Sequence, residues 1–252
     1  MVRFFVAPQD VSSNSIRLSA EDTEHIRSLR LRPDEQFIIC DCKGVDYVCR
    51  FGKHDEGTVA EIISQRRSHG EPSIICKVFI AYSKGDKLDY AVQKSVELGA
   101  SEIVLFESER CVAVPRDVPK KTARLQRIAF ETAKQSDRGI IPKVTSVGKF
   151  GAAINDALNS TELSLLFYEC EEDLHIKSVL DRCFSPIRKY DACDIKSVSI
   201  ITGPEGGFET REIELAKSKG IYIVSLGPRI LRSETAPVVA LASIMLYTEN
   251  MK

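Results

Sequence analysis

A chain of 252 residues with 43% hydrophobic and 28% charged side chains can bury a core in one large domain or two smaller ones. Its formal net charge of −1 argues against a globally basic nucleic-acid binder, and no apolar run reaches the roughly 20 residues of a membrane-spanning helix. Eight cysteines (40, 42, 49, 76, 111, 170, 183 and 193) occur without a Cys-x-x-Cys pair or a histidine at zinc spacing, so neither a metal nor a structural disulfide is expected. Free cysteines, and an N-terminus (Met1-Val2-Arg3-Phe4-Phe5-Val6) too soon polar for a signal peptide, point to a reducing cytoplasm.

The first 70 residues or so read as mostly β, with strands predicted over Arg3–Ala7, Phe37–Cys42, Tyr47–Phe51 and Gly57–Ile63. Lys43-Gly44 offers a hairpin turn between two of them. One helix interrupts, Ser19–Leu29, with Ser19 as N-cap and Asp22 completing a capping-box-like start. The polar, breaker-rich Arg66–Pro72 places a domain boundary there, giving domains over 1–72 and 73–252.

Beyond Ser73 strands and helices alternate. Strand Ile74–Ala81 leads to helix Lys87–Leu98 with Gly99 at its C-terminal cap, then to strand Glu102–Phe106 and helices Pro119–Gln135 and Gly148–Leu158. Strand Leu163–Tyr168 precedes a polar stretch to about Lys196 without a clear pattern. The chain ends with strand Val198–Thr202, helix Glu209–Ser218, strand Ile221–Leu226 and helix Thr235–Thr248. Such alternation predicts an α/β domain with a parallel sheet covered on both faces, preceded by a small β-rich domain. Charge is distributed unevenly: residues 110–143 hold nine basic and three acidic side chains, a local surplus that suits either a polyanion or a solvated helix face.

Two glycine-punctuated loops carry the chemistry, Thr202-Gly203-Pro204-Glu205-Gly206-Gly207-Phe208 and Leu226-Gly227-Pro228-Arg229-Ile230-Leu231-Arg232-Ser233-Glu234-Thr235-Ala236-Pro237. Each follows a strand and precedes a helix, so the pair forms a crevice at the carboxyl edge of the sheet, where glycine lets backbone approach a ligand. Neither loop has the Gly-Lys-Ser/Thr ending of a P-loop or the Gly-x-Gly-x-x-Gly of a dinucleotide site. Glu209 and Glu212 open the next helix and would repel an anion there. A neutral or cationic nucleoside fits better, its adenine edge read by backbone groups and walled by Leu226, Ile230 and Leu231.

The pair GPEGGF and SLGPRILRSETAP closely resembles the C-terminal signature of the RsmE family, SPOUT-class methyltransferases that modify uridine N3 in small-subunit (16S) ribosomal RNA. Arg3–Val6, His25–Arg30 and Cys42–Gly44 resemble the family's PUA-like RNA-binding domain, while Lys87–Gly99, Glu109-Arg110 and Glu131–Arg138 resemble its catalytic domain. The resemblance implies a deep trefoil knot at the C-terminus and a homodimer with the knot at the interface. It implies S-adenosylmethionine held by three loops: Phe167, Tyr168 and Glu169; Thr202, Gly203, Glu205, Gly206 and Gly207; and Leu226, Gly227, Ile230, Leu231 and Arg232 with Thr235 and Ala236. No metal or membrane partner is implied.

Transfer from a sulfonium needs mostly positioning, together with loss of the uridine N3 proton, which nearby cations favour. Arg232, on the cofactor loop, is the first candidate for that catalytic role and Arg138 the second. Arg232 can instead pair with Glu205 or Glu234, and Glu205 can cap backbone rather than act as base. Glu234-Thr235 reads as a helix cap. The RNA candidates are Arg110, Arg124, Arg127, Lys134 and Arg138, with Arg30 and Arg32 from the first domain. Small-subunit ribosomal RNA, free or in the assembled subunit, is the implied partner. Two alternatives stay open: another SPOUT specificity (ribose 2′-O or guanosine N1), and a non-enzymatic RNA-binding or assembly module.

Overall fold

A computed structural model describes residues 3–30, 35–54, 57–184 and 195–248. It divides into two compact units, one of Met1–Glu71 with Ala133–Ile141, the other of Pro72–Thr132 with Pro142–Lys252. The chain changes unit between Glu71 and Pro72. It also returns to the first unit for nine residues, which nothing in the composition signals.

The first unit is a five-stranded sheet of β1 (Arg3–Phe5), β2 (Ser15–Arg17), β3 (Gln36–Cys40), β4 (Val45–His54) and β5 (Gly57–Arg67), in the order β1-β3-β4-β5-β2. Only the β1–β3 pair is parallel; β3–β4 is a hairpin through the turn at Lys43-Gly44, with Gly44 at φ +86°. Alternate residues point inward, so Phe4, Ile16, Phe37, Ile39, Cys49 and Ala60 form one core with Ile26 of helix α1 (Ala20–Ser28). Ser19 caps α1 by accepting the Asp22 amide at 3.0 Å, and His25 packs edge-on against Phe4. β2 escapes the sequence pattern because only Ile16 of its three residues is buried.

Ala133–Ile141 is held to this unit by charge. Glu71 accepts Arg138 Nε and Nη2 at 2.8 and 2.9 Å, and the Gly139 and Ile140 amides at 2.7 and 3.0 Å. The Arg138 carbonyl accepts Arg3 Nη1 at 3.0 Å, while Arg3 grips Asp46 through both terminal nitrogens. Gly139 passes so close to Ser68 that any Cβ would overlap it. Arg138, expected as a catalytic cation and an RNA contact, is thus 1% exposed and committed to Glu71. It also lies past Gln135, where the helix that begins at Val118 ends.

The second unit is an all-parallel, six-stranded sheet in the order β11-β9-β10-β6-β7-β8. Its strands are β6 (Ile75–Ala81), β7 (Glu102–Glu107), β8 (Lys143–Lys149), β9 (Leu163–Phe167), β10 (Ser197–Thr202) and β11 (Tyr222–Val224). The helices are α2 (Lys87–Glu97), α3 (Val118–Gln135), α4 (Phe150–Ser160), α5 (Ile176–Phe184), α6 (Thr210–Ser218) and α7 (Ala236–Tyr247). Phe79, Val104, Phe106, Leu166, Ile201 and Ile223 pack with α4 and α6 on one face. α7 packs on β10, β6, α2 and α5. Burial of both faces is why β6, β7 and β9 read as largely apolar runs.

The parallel sheet covered on both faces and the small β-rich domain expected from the sequence agree with this architecture. β8 was missed because it is half polar, with a lysine at each end that suits its edge position. α5 was missed because only Val179 and Leu180 are buried in a polar stretch; residues 185–194 of that stretch lie outside the described residues.

Truncating one partner of a buried ion pair costs about 3–5 kcal/mol. Arg138→Ala should therefore destabilise the first unit by about that much in urea unfolding at neutral pH. An unchanged midpoint and slope would show that Glu71 does not need the guanidinium.

Candidate functional site

Strands β11, β9 and β10 are neighbours, so the loops leaving their carboxyl ends converge. The first loop continues β9 through Phe167, Tyr168 and Glu169, and the Tyr168 amide donates to the Val224 carbonyl at 3.1 Å. The second, after β10, is a turn closed by the Gly207 amide on the Pro204 carbonyl at 3.0 Å. Phe208 anchors it: the ring is 1% exposed and packs on Phe150 with centroids 5.5 Å apart. The third, after β11, starts at Ser225, whose hydroxyl accepts the Gly227 amide at 3.2 Å. It ends where the Thr235 and Ala236 amides donate to the Arg232 carbonyl at 2.8 and 3.0 Å.

Together the loops line a cavity of about 320 Å³. This lies at the lower end of the range for small-molecule sites, roughly 300–1,000 Å³. Twelve of the expected cofactor residues border it: Phe167, Tyr168, Glu169, Gly203, Glu205, Gly207, Leu226, Gly227, Ile230, Leu231, Arg232 and Ala236. Gly207 has φ +69°, and a Cβ there would overlap the Glu169 carboxylate, so glycine admits both the turn and that side chain.

Three expected residues do not border the cavity. Thr202 is fully buried with its hydroxyl donating to the Phe79 carbonyl at 3.3 Å, Gly206 faces Arg110, and Thr235 opens α7 without a side-chain cap. The cap expected at Glu234-Thr235 is therefore absent; Glu234 instead accepts the Ser233 hydroxyl at 3.2 Å. Sequence reasoning passed over Pro204, Ser225, Arg229 and Ser233, which interleave the motifs, and Lys87, which no local pattern marks.

The charges of the cavity have definite partners. Glu205 accepts the Lys84 amide at 3.0 Å and Lys87 Nζ at 3.1 Å. Burial pulls its carboxyl upward, but the Lys84 amide, its own backbone and the Lys87 ammonium outweigh that and hold it below the usual range. It is an ionised anchor, ill suited to take a proton. Arg232 borders the cavity with its side chain 83% exposed, and Glu234 Oε1 lies 4.0 Å away. Burial raises the thiols of Cys49 and Cys76 to about 12 and that of Cys42 to about 11, so none is a thiolate at neutral pH. Among the described residues no group of three or more His, Cys, Asp or Glu is placed to hold a metal, and no helix is long and apolar enough to cross a membrane.

The expected RNA contacts fall in both units. Arg110 is bound to Glu209 and Gly206, Arg124 pairs with Asp89, and Arg127 is exposed on α3. In the first unit Lys134 Nζ lies 6.0 Å from the Phe4 ring centre, and Arg30 is exposed with a left-handed φ of 51°. Arg32 lies outside the described residues.

A parallel sheet with a cavity built from three loops at its carboxyl edge, in a chain that also carries a small β-rich unit, defines the class, and comparison with known proteins agrees. The RNA methyltransferase domain family matches residues 71–245 and the RNA methyltransferase PUA domain matches residues 18–62. The ribosomal RNA small subunit methyltransferase E of Bacillus subtilis is 30% identical over 100% of this chain and 99% of its own length. The ribosomal RNA small subunit methyltransferase E of Neisseria gonorrhoeae, solved bound to S-adenosyl methionine, is 30% identical with a TM-score of 0.78, covering 98% of this chain and 97% of that one. A methyltransferase structure from Legionella pneumophila, also in complex with that cofactor, is 26% identical with a TM-score of 0.76, covering 97% of each chain. The chain belongs to the RsmE family of small-subunit ribosomal RNA methyltransferases.

A carboxylate whose pKa is depressed by folding stabilises above its unfolded value and loses that contribution as pH falls through the folded one. Glu205→Gln should therefore lower stability at pH 7 by about 0.5 kcal/mol after solvent screening. The difference should shrink as pH falls below the ordinary Glu value of 4.5 and through the lowered folded value. Urea unfolding at pH 7 and near pH 3.5 checks this, and an equal loss at both would refute an ionised anchor.

Proposed function

We propose that the chain transfers a methyl group from S-adenosylmethionine to N3 of a uridine in small-subunit ribosomal RNA, working as a cytoplasmic homodimer. The observation that carries the reading is the three-loop cavity with Arg232 at its open side, in a chain of this family. The chain's residues fit the donor: Gly203 and Gly207 admit a ligand close to backbone, Leu226 and Leu231 supply apolar wall, and Glu169 offers a carboxylate beside Gly207. When bound, the donor supplies an activated methyl on a positively charged sulfur.

The protein's share of the chemistry is positional and electrostatic. Glu205, ionised and tied to Lys87, anchors the loop rather than acting as a strong base. Arg232 stabilises the uridine anion as the N3 proton leaves to solvent. Arg124 and Arg127 on α3, with Lys134 and Arg30, present cations to RNA phosphates, as expected of recognition that is largely shape-driven.

Arg232→Ala should slow single turnover at saturating donor by about 100-fold while donor affinity changes little. Mass spectrometry of the modified RNA should show N3-methyluridine. An unchanged single-turnover rate would remove Arg232 from the chemistry, and ribose-methylated nucleoside or 1-methylguanosine would move the reading to another specificity.

The dimer reading is supported by apolar side chains left in solvent around α2, α7 and the third loop: Tyr90 at 47%, Leu246 at 63% and Ile230 at 84% exposure. Light scattering at micromolar concentration should give twice the monomer mass, and Leu246→Glu should return it to one. A monomeric wild-type protein would contradict this.

A further inference from the structure

Arg110 stood among the expected RNA contacts, yet its guanidinium is turned toward the glycine turn of the cavity. Nε donates to Glu209 Oε1 at 2.8 Å and Nη1 donates to the Gly206 carbonyl at 3.1 Å. Its stem also lies against the same turn, since a Cβ on Gly206 would come within 2.9 Å of Arg110 Cβ. Glu209 in turn is the N-terminal residue of a capping box with Glu212. The Glu212 carboxylate, in a residue only 4% exposed, accepts the Ser108 hydroxyl at 3.0 Å and the Glu109 and Glu209 amides at 3.1 and 2.9 Å. The segment after β7 and the loop after β10 are therefore clamped together at Glu212 and again at Arg110.

The second clamp has a specific consequence. Gly206-Gly207 is a pair of residues whose intervening peptide can rotate at little steric cost. In this structure that peptide is held from both sides, its carbonyl by Arg110 and its N–H by the Pro204 carbonyl at 3.0 Å. Gly207 borders the cavity, whereas Gly206 does not. Rotation of the peptide would break the Gly207–Pro204 hydrogen bond that closes the turn presenting Gly203, Pro204 and Glu205 to a ligand.

We propose that Arg110 is a positioning residue for the methyl donor: it locks the Gly206–Gly207 peptide and so sets donor affinity, without contributing to RNA binding. The proposal rests on the reading of the cavity as the S-adenosylmethionine site. Arg110 remains charged at every working pH, because the Glu209 carboxylate beside it reinforces the protonated form. The latch is thus insensitive to pH between the carboxylate and guanidinium ranges.

The test uses the full chain and the variants Arg110→Gln and Arg110→Lys, each first shown by circular dichroism to be folded. Calorimetry with S-adenosylmethionine should show donor Kd raised about 10-fold in Arg110→Gln, the loss of roughly 1.4 kcal/mol. Arg110→Lys, able to reach one acceptor but not both, should recover part of it. Amide hydrogen exchange at Gly207 should accelerate in the absence of any ligand. Turnover at saturating donor should stay within twofold, and small-subunit RNA affinity should keep its salt dependence. Unchanged donor Kd and Gly207 exchange, with weaker RNA binding and a salt slope shallower by about one, would overturn the proposal and return Arg110 to the RNA surface. Absence of donor binding by the wild-type chain would overturn both this proposal and the functional reading beneath it, whereas wild-type binding that the variants share would overturn this proposal alone.

Discussion

Burial of Phe208 is the interaction on which the site depends. A chain leaving β10 through Gly-Pro-Glu-Gly-Gly has little reason of its own to hold one shape, because glycine favours no single basin. The phenyl ring, sunk among Phe150, Ile213 and the strand side chains of the sheet, ties the far end of that segment to the core. With the near end fixed at Thr202 under Phe79, the segment closes as a turn rather than a floppy loop. The cavity is what lies above that turn once the loops after β9 and β11 come alongside it.

Charge then refines what packing has fixed. Glu205 is pulled toward α2 by Lys84 and Lys87, while Glu209 and Gly206 are pulled toward the end of β7 by Arg110. Two cations, Lys87 of α2 and Arg110 from the segment after β7, thus hold one short loop. Each pair is partly exposed and worth little to global stability. Their value is geometric, since they fix the turn whose Gly203, Pro204, Glu205 and Gly207 border the cavity.

The parts of the fold that could be read from the chain were those governed by local rules. Largely apolar strands such as Leu163–Phe167, buried on both faces, and helices such as Lys87–Glu97 announce themselves by period and composition. The glycine loops were legible because their residue types are demanded by backbone shape. What stayed hidden depends on partners distant in sequence. Nothing around Arg138 foretells Glu71, 67 residues earlier, so a buried structural arginine looked like one more cation in a basic stretch. Lys87 enters the cavity through Glu205, 118 residues on, and Arg110 is turned inward by Glu209, 99 residues on. β2, β8 and α5 are short and half polar, which leaves no periodic signal to read.

The most direct measurement is a crystal structure of the full chain grown with S-adenosylmethionine. The donor should lie bent among the turns after β9, β10 and β11, its nucleoside against Leu226 and Leu231 and its methyl open to solvent near Arg232. A donor bound anywhere else, or density for none at saturating concentration, would contradict the central claim.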